Sequence, residues 1–141
     1  MNRVRILVLC TGNSCRSILA EALLREIGGD RLAVESAGSR PESAVNPRTI
    51  EILDELGIGH GWARSKSMAT FRDREFDHVV TVCDEAAEAC PIFPGPAVRT
   101  HWSIPDPARA RGTDDEVRAV YRATYTQLRE RIVGFLATLD G

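Results

Sequence analysis

The chain has 141 residues, 43% of them hydrophobic and 27% charged, with a formal net charge of −2 at pH 7. That length suits a single domain whose core needs no disulfide staples, and the near-neutral charge gives no electrostatic basis for binding nucleic acid or a membrane surface. The apolar run in M-N-R-V-R-I-L-V-L-C is too short for a signal peptide or a spanning helix, so a cytoplasmic protein is expected, in which the four cysteines are catalytic, metal-binding or buried rather than permanently bridged.

In chain order, V-R-I-L-V-L at 4–9 predicts a strand buried on both faces, and R-S-I-L-A-E-A-L-L-R-E-I at 16–27 a helix ended by Gly28 and Gly29. A second strand follows at 32–38. A helix over 46–57 has Asn46 as N-cap, Pro47 at its first position and Gly57 as its stop. A short strand at 60–64 and a short helix at 67–72 precede the strand F-D-H-V-V-T-V at 76–82, with Cys83 directly after it. A helical turn at 84–89 leads into a proline-rich loop, V-R-T-H-W at 98–102 supplies a last strand, and an amphipathic helix runs over 114–139. No repeat or linker divides the chain, so 1–141 reads as one domain.

Strands alternating with helices predict an α/β fold: a small doubly wound, four-stranded parallel sheet of order 2-1-3-4 with helices on both faces. The working edge of such a sheet lies at the carboxyl ends of its strands, where Cys10 and Cys83 both fall. With the strand of Cys83 counted fourth, one strand separates it from that of Cys10. The two cysteines would then start roughly 10 Å apart and meet only through loop movement.

C-T-G-N-S-C-R-S, Cys10 to Ser17, joins the first strand to the first helix. Unpaired N–H groups and the positive end of the helix dipole collect at such a junction and hold an anion. The backbone of Thr11, Gly12, Asn13, Ser14 and Cys15 can circle a tetrahedral oxyanion while Arg16 supplies a planar two-pronged contact. Gly12 permits close backbone approach, Asn13 suits a left-handed turn, and the Ser17 hydroxyl can donate to an ionised Cys10 sulfur. The plainer alternative is a tight turn with a buried cysteine and a surface arginine.

With this loop in view, the whole chain resembles the low-molecular-weight tyrosine phosphatase fold family, and within it the arsenate reductases recycled by thioredoxin. C-T-G-N-S-C-R-S at 10–17 is similar to their anion loop, V-V-T-V-C at 79–83 and A-C-P at 89–91 to their redox pair, and H-W-x3-D-P-A from His101 to Ala108 to the segment carrying their general acid. The resemblance implies that Cys10 attacks arsenate, Arg16 holds its oxygens and Asp106 protonates the departing oxygen. It further implies that Cys83 attacks Cys10 to release arsenite and that Cys90 then attacks Cys83, leaving a disulfide for thioredoxin. Phosphate and sulfate are expected as competitors, with no tightly bound cofactor. A helical 83–90 segment would hold the last two cysteines roughly 10 Å apart, beyond the ~7 Å reach of a disulfide, so that segment has to unwind.

Two rivals remain at this point, a phosphotyrosine phosphatase and a non-catalytic redox or oxyanion sensor, and glutaredoxin or another thiol system is an alternative reductant. The spacings C-x4-C and C-x6-C do not favour zinc, and His60, His78 and His101 show no ligand spacing. Some members of the reductase group build a potassium site from an asparagine, a glutamate, a serine and an aspartate. Asn13, Glu21 and Ser36 match the first three, but the fourth falls near Lys66, whose ammonium beside Glu21 would repel a cation. Pairing of Glu21 with Arg25 along the helix is the simpler role for that glutamate.

Overall fold

A computed structural model describes residues 3–84 and 91–139. Four strands, β1 (Val4–Cys10), β2 (Leu32–Gly38), β3 (His78–Thr81) and β4 (Val98–His101), form one parallel sheet in the order β2-β1-β3-β4. The continuous apolar run of β1 reflects its central place: Ile6, Leu7, Val8, Leu9 and Cys10 are all buried, between the two faces of the sheet.

Alternation along β1 divides the core. Ile6, Val8 and Cys10 join Val80 and the buried stripes of α1 (Arg16–Gly28), α2 (Pro47–Glu55) and α3 (Asp114–Leu139), including Leu19, Leu53 and Leu128. Leu7, Leu9 and Val79 face the other way, against an aromatic cluster of Phe71, Phe76 and Phe93 stacked edge to face. Among the described residues, this second face is capped by the 3₁₀ turn Met68–Phe71, where a longer helix over 67–72 was expected. Asn46 caps α2 by accepting from the Arg48 N–H at 2.9 Å, with Pro47 at the first helical position.

One expectation is corrected. Residues 60–64 form a turn instead of a strand, closed by the Ala63 N–H to the His60 carbonyl and the Trp62 indole N–H to the Gly59 carbonyl. The glycines flanking His60 favour that turn. The strand leading to Cys83 is therefore third in the chain, and it pairs directly with β1 from Ile6↔His78 to Leu9↔Thr81. Cys10 ends β1 and Cys83 follows β3 by two residues, so the two lie past the ends of adjacent strands, spaced about 4.8 Å apart, with no strand between them. The helical turn expected at 84–89 lies almost wholly outside the described residues, as does Cys90.

Candidate active site

The loop between β1 and α1 is held open by its own carbonyl groups. Those of Cys10, Thr11 and Gly12 accept from the backbone N–H groups of Ser39, Arg40 and Glu42 at 3.3, 2.9 and 2.9 Å. The Asn13 carbonyl accepts from the Ser65 hydroxyl at 2.6 Å. That of Ser14 accepts from the Asn46 N–H at 3.1 Å and the Thr49 hydroxyl at 2.8 Å. In a trans peptide the N–H points opposite to the C=O, so drawing successive carbonyls outward turns the following N–H groups inward. The Asn13 N–H reaches the Cys10 sulfur at 3.1 Å. Asn13 takes the left-handed conformation expected of it, with φ of 49°.

Cys10 is buried and its sulfur lies 2.9 Å from the Ser17 hydroxyl. Arg16, only 3% exposed, donates from Nη1 to the Ile104 carbonyl at 3.0 Å, and its Nη2 lies 3.8 Å from Asp106 Oδ2. Asp106 meanwhile accepts the Ala108 N–H on Oδ1 at 3.0 Å, capping the 3₁₀ turn Pro107–Arg109. Nucleophile and guanidinium from one loop thus meet a carboxyl group from a distant segment, around a cavity of about 220 Å³ that all of residues 10–16 line. This arrangement can hold a tetrahedral oxyanion against a sulfur atom with a carboxyl group beside it.

Behind the loop, Asn13 Nδ2 donates to Ser17 Oγ at 2.7 Å and Ser36 Oγ at 3.0 Å, and Ser36 donates to Glu21 Oε1 at 2.6 Å. Burial pushes the Glu21 carboxyl group up from its ordinary pKa, opposed by the Ser36 hydroxyl and by the charges of Lys66 and Arg25. Arg25 provides the direct ion pair, Nη2 to Oε2 at 2.6 Å, while the Lys66 ammonium faces the Arg64 carbonyl at 3.5 Å. Cys15 lines the cavity but its sulfur turns into the protein, 3.5 Å from the Tyr121 hydroxyl, where burial pushes its thiol up.

Cys10 and Cys15 are free thiols, whereas Cys83 is fully buried and disulfide-bonded. No group of three or more metal-ligating side chains occurs among the described residues. Sequence reasoning passed over Arg40, Glu42 and Arg109, which line the cavity mouth. The signal for the first two was their position just past the carboxyl end of β2. A Cβ on Gly12 would meet the movable Glu42 side chain at 3.2 Å, whereas one on Gly38, which the sequence did not single out, would meet the Thr11 backbone carbonyl at 2.4 Å.

A family model for low molecular weight phosphotyrosine protein phosphatases matches residues 5–141. The chain belongs to the low-molecular-weight phosphotyrosine protein phosphatase family. Within it, the chain is 40% identical over 138 residues to an arsenate reductase of Halalkalibacterium halodurans, covering 98% of this chain and 99% of that protein. The structure matches that of an arsenate reductase from Archaeoglobus fulgidus with a TM-score of 0.79 at 28% identity, over 94% and 98% of the two chains. It also matches a thioredoxin-dependent arsenate reductase of Corynebacterium glutamicum, with a TM-score of 0.70 at 26% identity, over 96% of this chain and 63% of the other. Among the described residues no helix is long and apolar enough to cross a membrane.

Proposed function

We propose that this protein is a cytoplasmic arsenate reductase that turns arsenate into arsenite through a relay of Cys10, Cys83 and Cys90, recycled by thioredoxin. The observation that carries this reading is the pairing of an inward-facing N–H loop around Cys10 with a second buried cysteine, Cys83, just past the end of the adjoining strand. A phosphatase can hydrolyse its cysteinyl intermediate with water; reduction of As(V) needs two electrons, and thiols supply them.

The Cys10 thiolate displaces an oxygen from arsenate to form an S–As bond, with Arg16 holding two of the remaining oxygens and Asp106 giving the departing one a proton. The Cys83 thiolate then attacks the Cys10 sulfur. A Cys10–Cys83 bond forms, the S–As bond breaks, and its electron pair leaves with arsenic as arsenite. Cys90 attacks Cys83, freeing Cys10, and the dithiol of thioredoxin reduces the resulting Cys83–Cys90 bridge. The short step between adjacent strands supports the first exchange, and the relatives named arsenate reductase support the substrate.

The deciding experiment is arsenate-dependent NADPH oxidation by the purified protein with thioredoxin and thioredoxin reductase, with p-nitrophenyl phosphate hydrolysis measured alongside. Sustained turnover of arsenate supports the reductase. Fast ester hydrolysis without arsenate turnover would make the protein a phosphatase. Oxidation that stops at one equivalent would make it a sensor. Phosphate and sulfate should compete with arsenate, since the loop recognises the tetrahedral anion rather than its central atom.

A further inference from the structure

The residues that match a potassium site in the family do not fit a cation in this chain. Glu21 Oε2 is occupied by Arg25, from Nη2 at 2.6 Å and Nε at 2.8 Å, and Oε1 by the Ser36 hydroxyl at 2.6 Å. Asn13 Oδ1 accepts the backbone N–H of Lys66 at 2.8 Å, and position 66 offers an ammonium in place of a carboxylate. We propose that Arg25 serves as the chain's own cation and is a positioning residue for Cys10, acting through Glu21, Ser36, Asn13 and Ser17.

Arg25 pins the fully buried Glu21 carboxylate, and is itself held by the Val34 carbonyl at 3.2 Å and by the Trp62 ring, 4.6 Å from its guanidinium carbon. A carboxylate only accepts, so Ser36 commits its single hydroxyl hydrogen to Oε1. Ser36 Oγ is left to accept from Asn13 Nδ2, whose amide is oriented because Oδ1 already accepts from Lys66. The second Nδ2 hydrogen goes to Ser17 Oγ at 2.7 Å, leaving the Ser17 hydrogen for the Cys10 sulfur at 2.9 Å. Ser36, Asn13 and Ser17 thus have their donors assigned in turn, from the Glu21–Arg25 ion pair toward the nucleophile, with the Lys66 N–H fixing the Asn13 amide between them. On the open side, Arg16 and Asp106 flank Cys10, with Arg40, Glu42 and Arg109 around the cavity; behind it stand Glu21, Arg25 and Lys66. Only Arg25 among these makes a direct ion pair with the chain leading to Ser17.

This inference rests on the reductase reading for its activity assay, so its test includes a second readout. Wild type, Arg25→Gln and Arg25→Lys are compared for arsenate turnover in sodium and in potassium at fixed ionic strength, and for alkylation of Cys10 by iodoacetamide, followed by peptide mass mapping. Arg25→Gln should lower both kcat and the Cys10 alkylation rate by about tenfold, the scale of loss from a slightly misplaced group. The arsenate KM should move by less than about twofold, because Arg16 and the loop N–H groups still hold the anion. Arg25→Lys should restore most of both rates, and wild type should differ by less than about twofold between the two cations. Wild-type rates in Arg25→Gln would overturn the inference, as would no recovery in a folded Arg25→Lys. Strong potassium activation of wild type would do the same, and that comparison needs no variant to fold. If wild type fails to reduce arsenate, the functional reading falls, while the alkylation rates still decide the role of Arg25.

Discussion

Gly38 ends β2 so close to the anion loop that a Cβ on it would stand 2.4 Å from the Thr11 carbonyl oxygen and 3.1 Å from Asn13. The obstacle is backbone on both sides, since Cys10 pairs with Gly38 across the sheet and the Thr11 carbonyl is tied to the Arg40 N–H at 2.9 Å. Gly38→Ala should therefore cost about 1–3 kcal/mol of stability, the usual penalty of overpacking. It should also reduce arsenate turnover, because the loop must shift to make room. Urea unfolding and steady-state assays check both; unchanged stability would mean that the loop accommodates a methyl group.

Arg16 does more than supply charge. Its guanidinium reaches the Ile104 carbonyl with one nitrogen and faces Asp106 with another, which a lysine ammonium cannot reproduce in one plane. Arg16→Lys should lower kcat/KM for arsenate by at least about tenfold, or ~1.4 kcal/mol. A variant with near-normal turnover would remove the planar fork from the mechanism.

How far the sequence reveals this site depends on where its residues lie. Cys10 to Ser17 form one contiguous segment between a clear strand and a clear helix, so their gathering was legible from local pattern alone. Asp106 was legible only through the family resemblance, because D-P otherwise reads as a turn, and it is indeed a turn cap here as well as a neighbour of Arg16. The position of Cys83 relative to Cys10 was misjudged because the five residues 60–64, which include Gly61 and follow Gly59, were counted as a strand, which placed an extra strand between them. Arg40, Glu42 and Arg109 could not be found by spacing. Arg40 and Glu42 reach the cavity through the crossing of the β2 loop over the anion loop, a tertiary relationship carried by backbone bonds that any residue type can make, and Arg109 reaches it from the 3₁₀ turn that Asp106 caps.

At the opposite end of the sheet, Asp77 Oδ2 accepts the Arg5 backbone N–H at 2.8 Å and Oδ1 lies 3.6 Å from its guanidinium. That backbone hydrogen bond, with the Arg5 charge, holds the Asp77 carboxyl group below its ordinary value of 3.8. A depressed folded pKa stabilises the native state at pH values above the unfolded value, and the contribution is lost as pH falls through the folded one. Asp77→Asn should thus be less stable than wild type at neutral pH, with the gap closing in acid below the ordinary aspartate range. Denaturant unfolding across that range checks the sign; a gap that widened on acidification would exclude this linkage.

The three cysteines of the relay should fail in different ways, because each exchange needs an attacking thiolate, an accessible sulfur and a leaving group. Cys10→Ser should form no arsenic adduct at all, since the oxygen it places at the base of the loop lacks the ionised sulfur on which attack depends. Cys83→Ser should still form the adduct but release no arsenite unless an external thiol replaces the missing one. Cys90→Ser should complete one round and stall with Cys10 joined to Cys83, a bridge favoured by the direct pairing of β1 with β3. Cys15→Ser should keep substantial activity. Its thiol is pushed up by burial and faces the Tyr121 hydroxyl, a contact that a serine hydroxyl can also make, and the backbone N–H is unchanged. Peptide mass mapping after one equivalent of arsenate distinguishes the four. Normal cycling of Cys90→Ser with thioredoxin, or an arsenate-treated wild type lacking a Cys83–Cys90 bridge, would rule out the relay and leave hydrolysis as the chemistry of this loop.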